Sequence, residues 1–122
     1  MRYMLLVYLD EKALPEDERQ ACYKDSAGLA RELSESGHHI DAAPLHLTDT
    51  ATCVRVRGGK AAVTDGPFAE TREQLGGYYL VEAANLDEAL SIAKRIPMAA
   101  FGTIEVRPVM EIPGLPESYS SD

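Results

Sequence analysis

Tyr3 to Leu9 carries no charged residue, and its apolar side chains fall on both alternating faces: Tyr3, Leu5, Val7 and Leu9 on one, Met4, Leu6 and Tyr8 on the other. A strand with that pattern asks for cover on both sides. Helices supply one cover, and a partner subunit is the natural source of the other. The next pattern is helical. Pro15 suits a first turn because its missing N–H would be unpaired there, and Glu16, Asp17 and Glu18 complement the positive end of the helix dipole. Cys22, Ser26, Leu29 and Leu33, with Ala30 alongside, form the stripe expected to be buried, and Gly37 is the expected left-handed stop.

His38 to Leu45 reads as a second strand, which Pro44 confines to an edge or a bulge. Ala51 to Arg57 and Lys60 to Thr64, joined at Gly58-Gly59, read as a hairpin. Gly77 to Ala83 is a further strand. Asn85 followed by Glu88 has the spacing of a capping box, and Leu86, Ala89, Leu90 and Ala93 give a helix face that ends before Pro97. Thr103 to Val109 closes the pattern, with Ile104 and Val106 expected inside. The order is βαββαβ with one inserted hairpin, which predicts a ferredoxin-like α+β fold with helices on one face of an antiparallel sheet. Residues 1–110 form this domain, and 111–122, with Pro113, Gly114, Pro116 and a serine-rich end, read as a tail or an arm laid on a partner.

Composition narrows the function more than it defines it. The 122 residues make one domain, and 45% hydrophobic with 26% charged residues is ordinary for a globular chain. Twenty acidic against twelve basic residues give a formal charge of −8, which argues against direct binding to nucleic acid. Arg55, Arg57 and Lys60 are the one dense basic cluster, read as a solvated hairpin face. No segment has the length and apolarity of a membrane span, and the start lacks a secretory pattern, so a cytoplasmic location is expected. Cys22 and Cys53 lack CxxC spacing and read as reduced, packed thiols.

The densest information lies in Thr64-Asp65-Gly66-Pro67-Phe68-Ala69-Glu70-Thr71-Arg72-Glu73-Gln74-Leu75-Gly76-Gly77-Tyr78-Tyr79. Asp65 is placed to accept hydrogen bonds from backbone two residues on, Pro67 restricts Gly66 before it, and Phe68 is expected to anchor the turn in the core. This stretch resembles the signature of the DGPF proteins, a branch of the YCII-related family. The start Met1 to Tyr8, Thr52-Cys53-Val54-Arg55 and the segment Gly102 to Val109 are similar to that branch as well. The resemblance implies two ferredoxin-like sheets packed face to face in a homodimer, a dimeric α/β barrel. It also implies a possible role beside extracytoplasmic-function sigma factors, through protein contacts, for a noncatalytic regulatory module.

For chemistry, Asp65 on its rigid turn is the candidate general base of a cofactor-independent acid/base site, or a carboxylate that binds a small organic molecule. Glu70 and Gln74, four apart on what reads as one helical turn, face the same way and are candidate ligand contacts with Tyr8, Ser26, Tyr78 and Arg107. Members of the wider family carry a histidine on the first helix, and Ser26 stands where it is expected; a serine does not replace imidazole as a base near neutral pH. His38, His39, Asp41 and His46 do not fit a metal site, because strand alternation sends His39 and Asp41 one way and His38 and His46 the other. No nucleotide-binding glycine pattern, nucleophile elbow or HExxH is present, so no cofactor is expected.

Overall fold

The computed structural model describes residues 1–116. The expected tail over 111–122 therefore falls partly outside the described residues. Strand β1 (Arg2–Leu9) leads into helix α1 (Glu16–Glu35), and β2 (His39–Pro44) follows. A short 3-10 turn, Thr48–Thr50, precedes the ribbon β3 (Thr52–Arg57) and β4 (Lys60–Asp65). Then come β5 (Gln74–Glu82), helix α2 (Leu86–Ala93), a second 3-10 turn, Pro97–Ala100, and β6 (Thr103–Pro108). The main sheet runs β2-β5-β1-β6 with every neighbouring pair antiparallel, and β3–β4 is a separate two-stranded sheet. This is the expected ferredoxin-like order with its hairpin outside the sheet. Among the described residues no helix is long and apolar enough to cross a membrane.

Strand alternation fixes which side each residue serves. Tyr3, Leu5, Val7 and Leu9 are buried under the helices, while Met4, Leu6 and Tyr8 on the reverse face are half-buried. Tyr79 and Val81 of β5 share the helix side, and Ile104 and Val106 of β6 pack against it, half-buried. From α1 the core takes Cys22, Leu29 and Leu33. Leu5 and Leu33 are fully enclosed, and each such side chain contributes about 1.5–3 kcal/mol of burial. On the helix-free side Leu80 alone of β5 is buried, between Leu6's row and β2.

The helix ends follow the sequence. Pro15 is the N-cap of α1, and its missing N–H costs nothing there. At the other end the His38 N–H reaches back to the Leu33 carbonyl at 2.8 Å and that of Gly37 to Ser34 at 3.2 Å, with Gly37 at φ +82°. Asn85 Oδ1 accepts the Glu88 N–H at 3.0 Å, and Glu88 Oε1 accepts that of Ala84 at 2.9 Å. The buried stripe of α2 is Ala89, Ile92 and Ala93, continuing to Ile96, so the expected face with Leu86 and Leu90 is corrected: both are exposed. Spacing alone allows either face, since leucine and isoleucine carry equal apolar area, and packing against the sheet selects the Ile92 side.

Three local expectations around the signature stretch also change. Glu70 to Gln74 form no helical turn; Gln74 already belongs to β5, and its side chain donates to the Thr71 carbonyl. Phe68 is 79% exposed rather than anchored, because the turn sits at the root of a ribbon that stands off the core. The Asp65 carboxylate makes no hydrogen bond among the described residues; the turn is held instead by the Gly66 N–H on the Ala51 carbonyl at 2.7 Å. Gly102, in the late segment of the resemblance, has a steric reason: a Cβ there would lie 1.9 Å from the Tyr8 carbonyl oxygen.

Candidate functional site

A cavity of about 330 Å³ lies between α1 and the sheet. Its floor is Val7 and Leu9 of β1 with Gly76, Gly77 and Tyr79 of β5, and its edge is Ala42, Ala43 and Pro44 of β2. Helix α1 roofs it with Cys22, Tyr23, Ser26, Ala27 and Ala30, one helical face with small side chains in the middle. Ile96 and Met98 close the end below α2. Alanines along both walls leave room that larger residues would take, whereas a Cβ on Gly76 or Gly77 would meet Leu9 or the Ala43 carbonyl.

The lining is apolar with a few neutral polar groups and, among the described residues, no Asp, Glu, Lys, Arg or His side chain. The Tyr79 hydroxyl donates to the Ser26 carbonyl across the cavity wall at 3.2 Å, tying β5 to α1. Burial raises the Tyr79 pKa, so this phenol stays a donor well past neutral pH. Cys22 is buried, and desolvation, then the Asp25 and Glu18 carboxylates, raise its pKa. Its neutral thiol is a poor nucleophile. The Ser26 hydroxyl lies in the lining beside the Tyr79 phenol, and its hydrogen bond there acts against burial on the Tyr79 pKa. Such a site orients an uncharged ring by shape and one or two hydrogen bonds.

The residues singled out from sequence separate onto two faces. Ser26 lines the cavity. Tyr78 borders it, but alternation puts its side chain on the helix-free face, where the hydroxyl meets Asp41 Oδ2 at 2.7 Å. Tyr8 shares that face, its hydroxyl 3.3 Å from Glu105 Oε1; partial burial first and the Glu105 carboxylate second raise its pKa, with Arg107 acting the other way. Arg107 stands exposed on the same face opposite Met4. Gln74 is structural, its Oε1 accepting the Glu11 N–H at 3.0 Å. Asp65 and Glu70 are exposed on the ribbon and the loop after it, and neither lines the cavity. Among the described residues no group of three or more His, Cys, Asp or Glu side chains is arranged to hold a metal.

Sequence reasoning passed over Tyr23, Tyr79 and Met98 as cavity residues. Tyr79 carried a signal: it alternates onto the side of Leu5, and its i-spacing from the glycine pair places it beside a gap. Met98 carried none, lying after Pro97 in a turn with no periodicity.

An α+β sheet with two helices and a cavity beneath α1 defines the class of protein. The YCII-related domain profile matches residues 1–113, and the chain belongs to that family. An uncharacterised protein of Rhizobium meliloti (strain 1021) is 40% identical over 114 residues, covering 89% of this chain and 92% of that one. Among solved structures, 5-chloro-2-hydroxyhydroquinone dehydrochlorinase from Burkholderia phenoliruptrix AC1100, in complex with 2,5-dihydroxybenzoquinone, superposes with a TM-score of 0.54. It covers 90% of this chain and 94% of that one at 14% identity, a likeness of fold.

Proposed function

We propose that this YCII-related protein binds a small, uncharged or weakly charged ring-bearing organic molecule in the cavity beneath α1, and that it does so as a homodimer. The observation that carries the reading is the cavity itself: about 330 Å³, at the lower end of the size of small-molecule sites, apolar, with the Ser26 and Tyr79 hydroxyls among its few polar groups. The structural neighbour's hydroxylated quinone is a ligand of this kind. The dimer reading rests on the half-buried row Met4, Leu6 and Tyr8, which leaves an apolar strip on the helix-free side. Sheet-to-sheet packing through that side gives the barrel expected from the resemblance.

Binding is the part of this reading that the cavity supports. Acid/base chemistry centred on Asp65 lacks that support within one chain, since the carboxylate is outside the lining and solvated. The alternative of a noncatalytic module with a sigma-factor-type protein partner finds one favouring feature, the exposed apolar side of the β3–β4 ribbon.

The test is thermal denaturation with 2,5-dihydroxybenzoquinone and a panel of mono- and dihydroxylated aromatics, on wild type, Ala30→Phe and Asp65→Ala. A ligand bound at 100 times its Kd stabilises the native state by about 2.7 kcal/mol. Wild type and Asp65→Ala should shift together while Ala30→Phe, with the hollow filled, should not. An equal shift in Ala30→Phe would remove the cavity from the argument, and loss of the shift in Asp65→Ala would return that carboxylate to the site.

A further inference from the structure

The β3–β4 ribbon has two unlike sides and, among the described residues, no cover on either. Cross-strand pairs put Val54 opposite Val63 and Val56 opposite Ala61 on one side, and Arg55 opposite Ala62 and Arg57 opposite Lys60 on the other. Every residue of the two strands except half-buried Cys53 is exposed, with Val54 at 64%, Val56 at 59% and Val63 at 67%. Neither strand hydrogen-bonds to the main sheet. Isolated two-stranded ribbons are marginal in water, and three valines left in solvent make this one worse.

We propose that the ribbon is a dimerisation arm: its valine side lies on a second copy of the chain, while Arg55, Arg57 and Lys60 on the opposite side give the ribbon the positive charge that steers it there. Charge identifies the occupant. The ribbon, residues 52–65, carries +2, so the remainder of the chain carries −10 and attracts the ribbon of another copy. Its own body does not receive it. Reach agrees: six-residue strands extend about 20 Å, whereas packed sheets stand about 10 Å apart, so an arm leaving the sheet end between Pro44 and Gln74 spans the gap to the partner. Need agrees too, because an element that requires cover in every molecule is best served by a partner present wherever the chain is. The proposal rests on the homodimer proposed above, and the experiment is chosen to separate the arm from the sheet contact.

Sedimentation equilibrium would compare wild type with Leu6→Glu on the sheet face, Val54→Asp/Val63→Asp on the ribbon, and Arg55→Glu/Arg57→Glu. Each ribbon pair should raise the dimer Kd roughly tenfold or more, as loss of a buried interface anchor does, and the arginine pair should also flatten its salt dependence. If Leu6→Glu dissociates the dimer while both ribbon variants associate like wild type, the sheet contact stands and the arm is overturned. If only the ribbon variants dissociate, the arm stands and the sheet contact falls. A wild type that stays monomeric overturns the arm and leaves its valines to another protein. Hydrogen exchange on unmodified protein guards against misfolded variants: amides of residues 52–65 should exchange more slowly at concentrations where the dimer forms, and equal exchange on dilution overturns the proposal.

Discussion

Tyr79 shows how one side chain serves both the fold and the hollow. Its ring is buried on the helix side of β5, and its hydroxyl reaches the Ser26 carbonyl at 3.2 Å, so it spans the cavity wall and fixes the distance between sheet and α1. Tyr79→Phe keeps the ring and removes that bond, which should cost about 0.5–1.5 kcal/mol at neutral pH. The alkaline behaviour follows from the raised pKa. A folded pKa above the unfolded value near 10 means that the unfolded chain loses its proton first, so this contribution is whole below about pH 10 and is lost as pH rises toward the folded value. The stability gap between wild type and Tyr79→Phe should therefore narrow above about pH 10 in urea titrations. A gap that stays constant through that range would mean that burial does not hold this phenol neutral.

The elements were legible where one local signal decides them. Alternation placed β1, the Gly58-Gly59 pair placed the ribbon, both glycines having positive φ as a tight hairpin turn requires, and Asn85 with Glu88 placed the start of α2. For that cap, Asn85→Ala should lower stability by about 0.5–2 kcal/mol, with Asn85→Ser restoring most of it; calorimetry that finds alanine and serine alike would show the cap to be idle. Legibility failed where tertiary contact outvoted local preference. Glu70, Glu73 and Gln74 are good helix formers, yet Gln74 is drawn into β5 opposite Leu9 and bonds the Glu11 N–H, so the segment stays extended. Phe68 invited burial because aromatic residues are usually inside. Nothing in the sequence says that its turn stands at the root of an arm that leaves the core. Of the candidate residues read from sequence, Ser26 and Tyr78 are among those that line the cavity, since residues from α1, β1, β2, β5 and the 97–100 turn meet there by topology and not by spacing.

At the scale of the whole molecule the sheet is a partition. One side carries the core and the cavity; the other carries half-buried Met4, Leu6 and Tyr8 in a strip flanked by Glu105, Arg107, Asp41 and Glu82. If that strip is shut by a second copy, the native state is stabilised by association, and its stability must depend on how much protein is present. The melting temperature of wild type should then rise with concentration across the micromolar range, while that of Leu6→Glu should be lower and flat. The direction is fixed by mass action, since a dimer that binds only folded chains withdraws them from the unfolding equilibrium. The cavity proposed to bind a ligand lies on the opposite side of the partition, so saturating 2,5-dihydroxybenzoquinone should raise the melting temperature of both proteins and leave the concentration slope of wild type in place. A wild-type melting temperature that ignores concentration would show that the strip is no interface, and the half-buried row of β1 would then be the exposed side of a monomer.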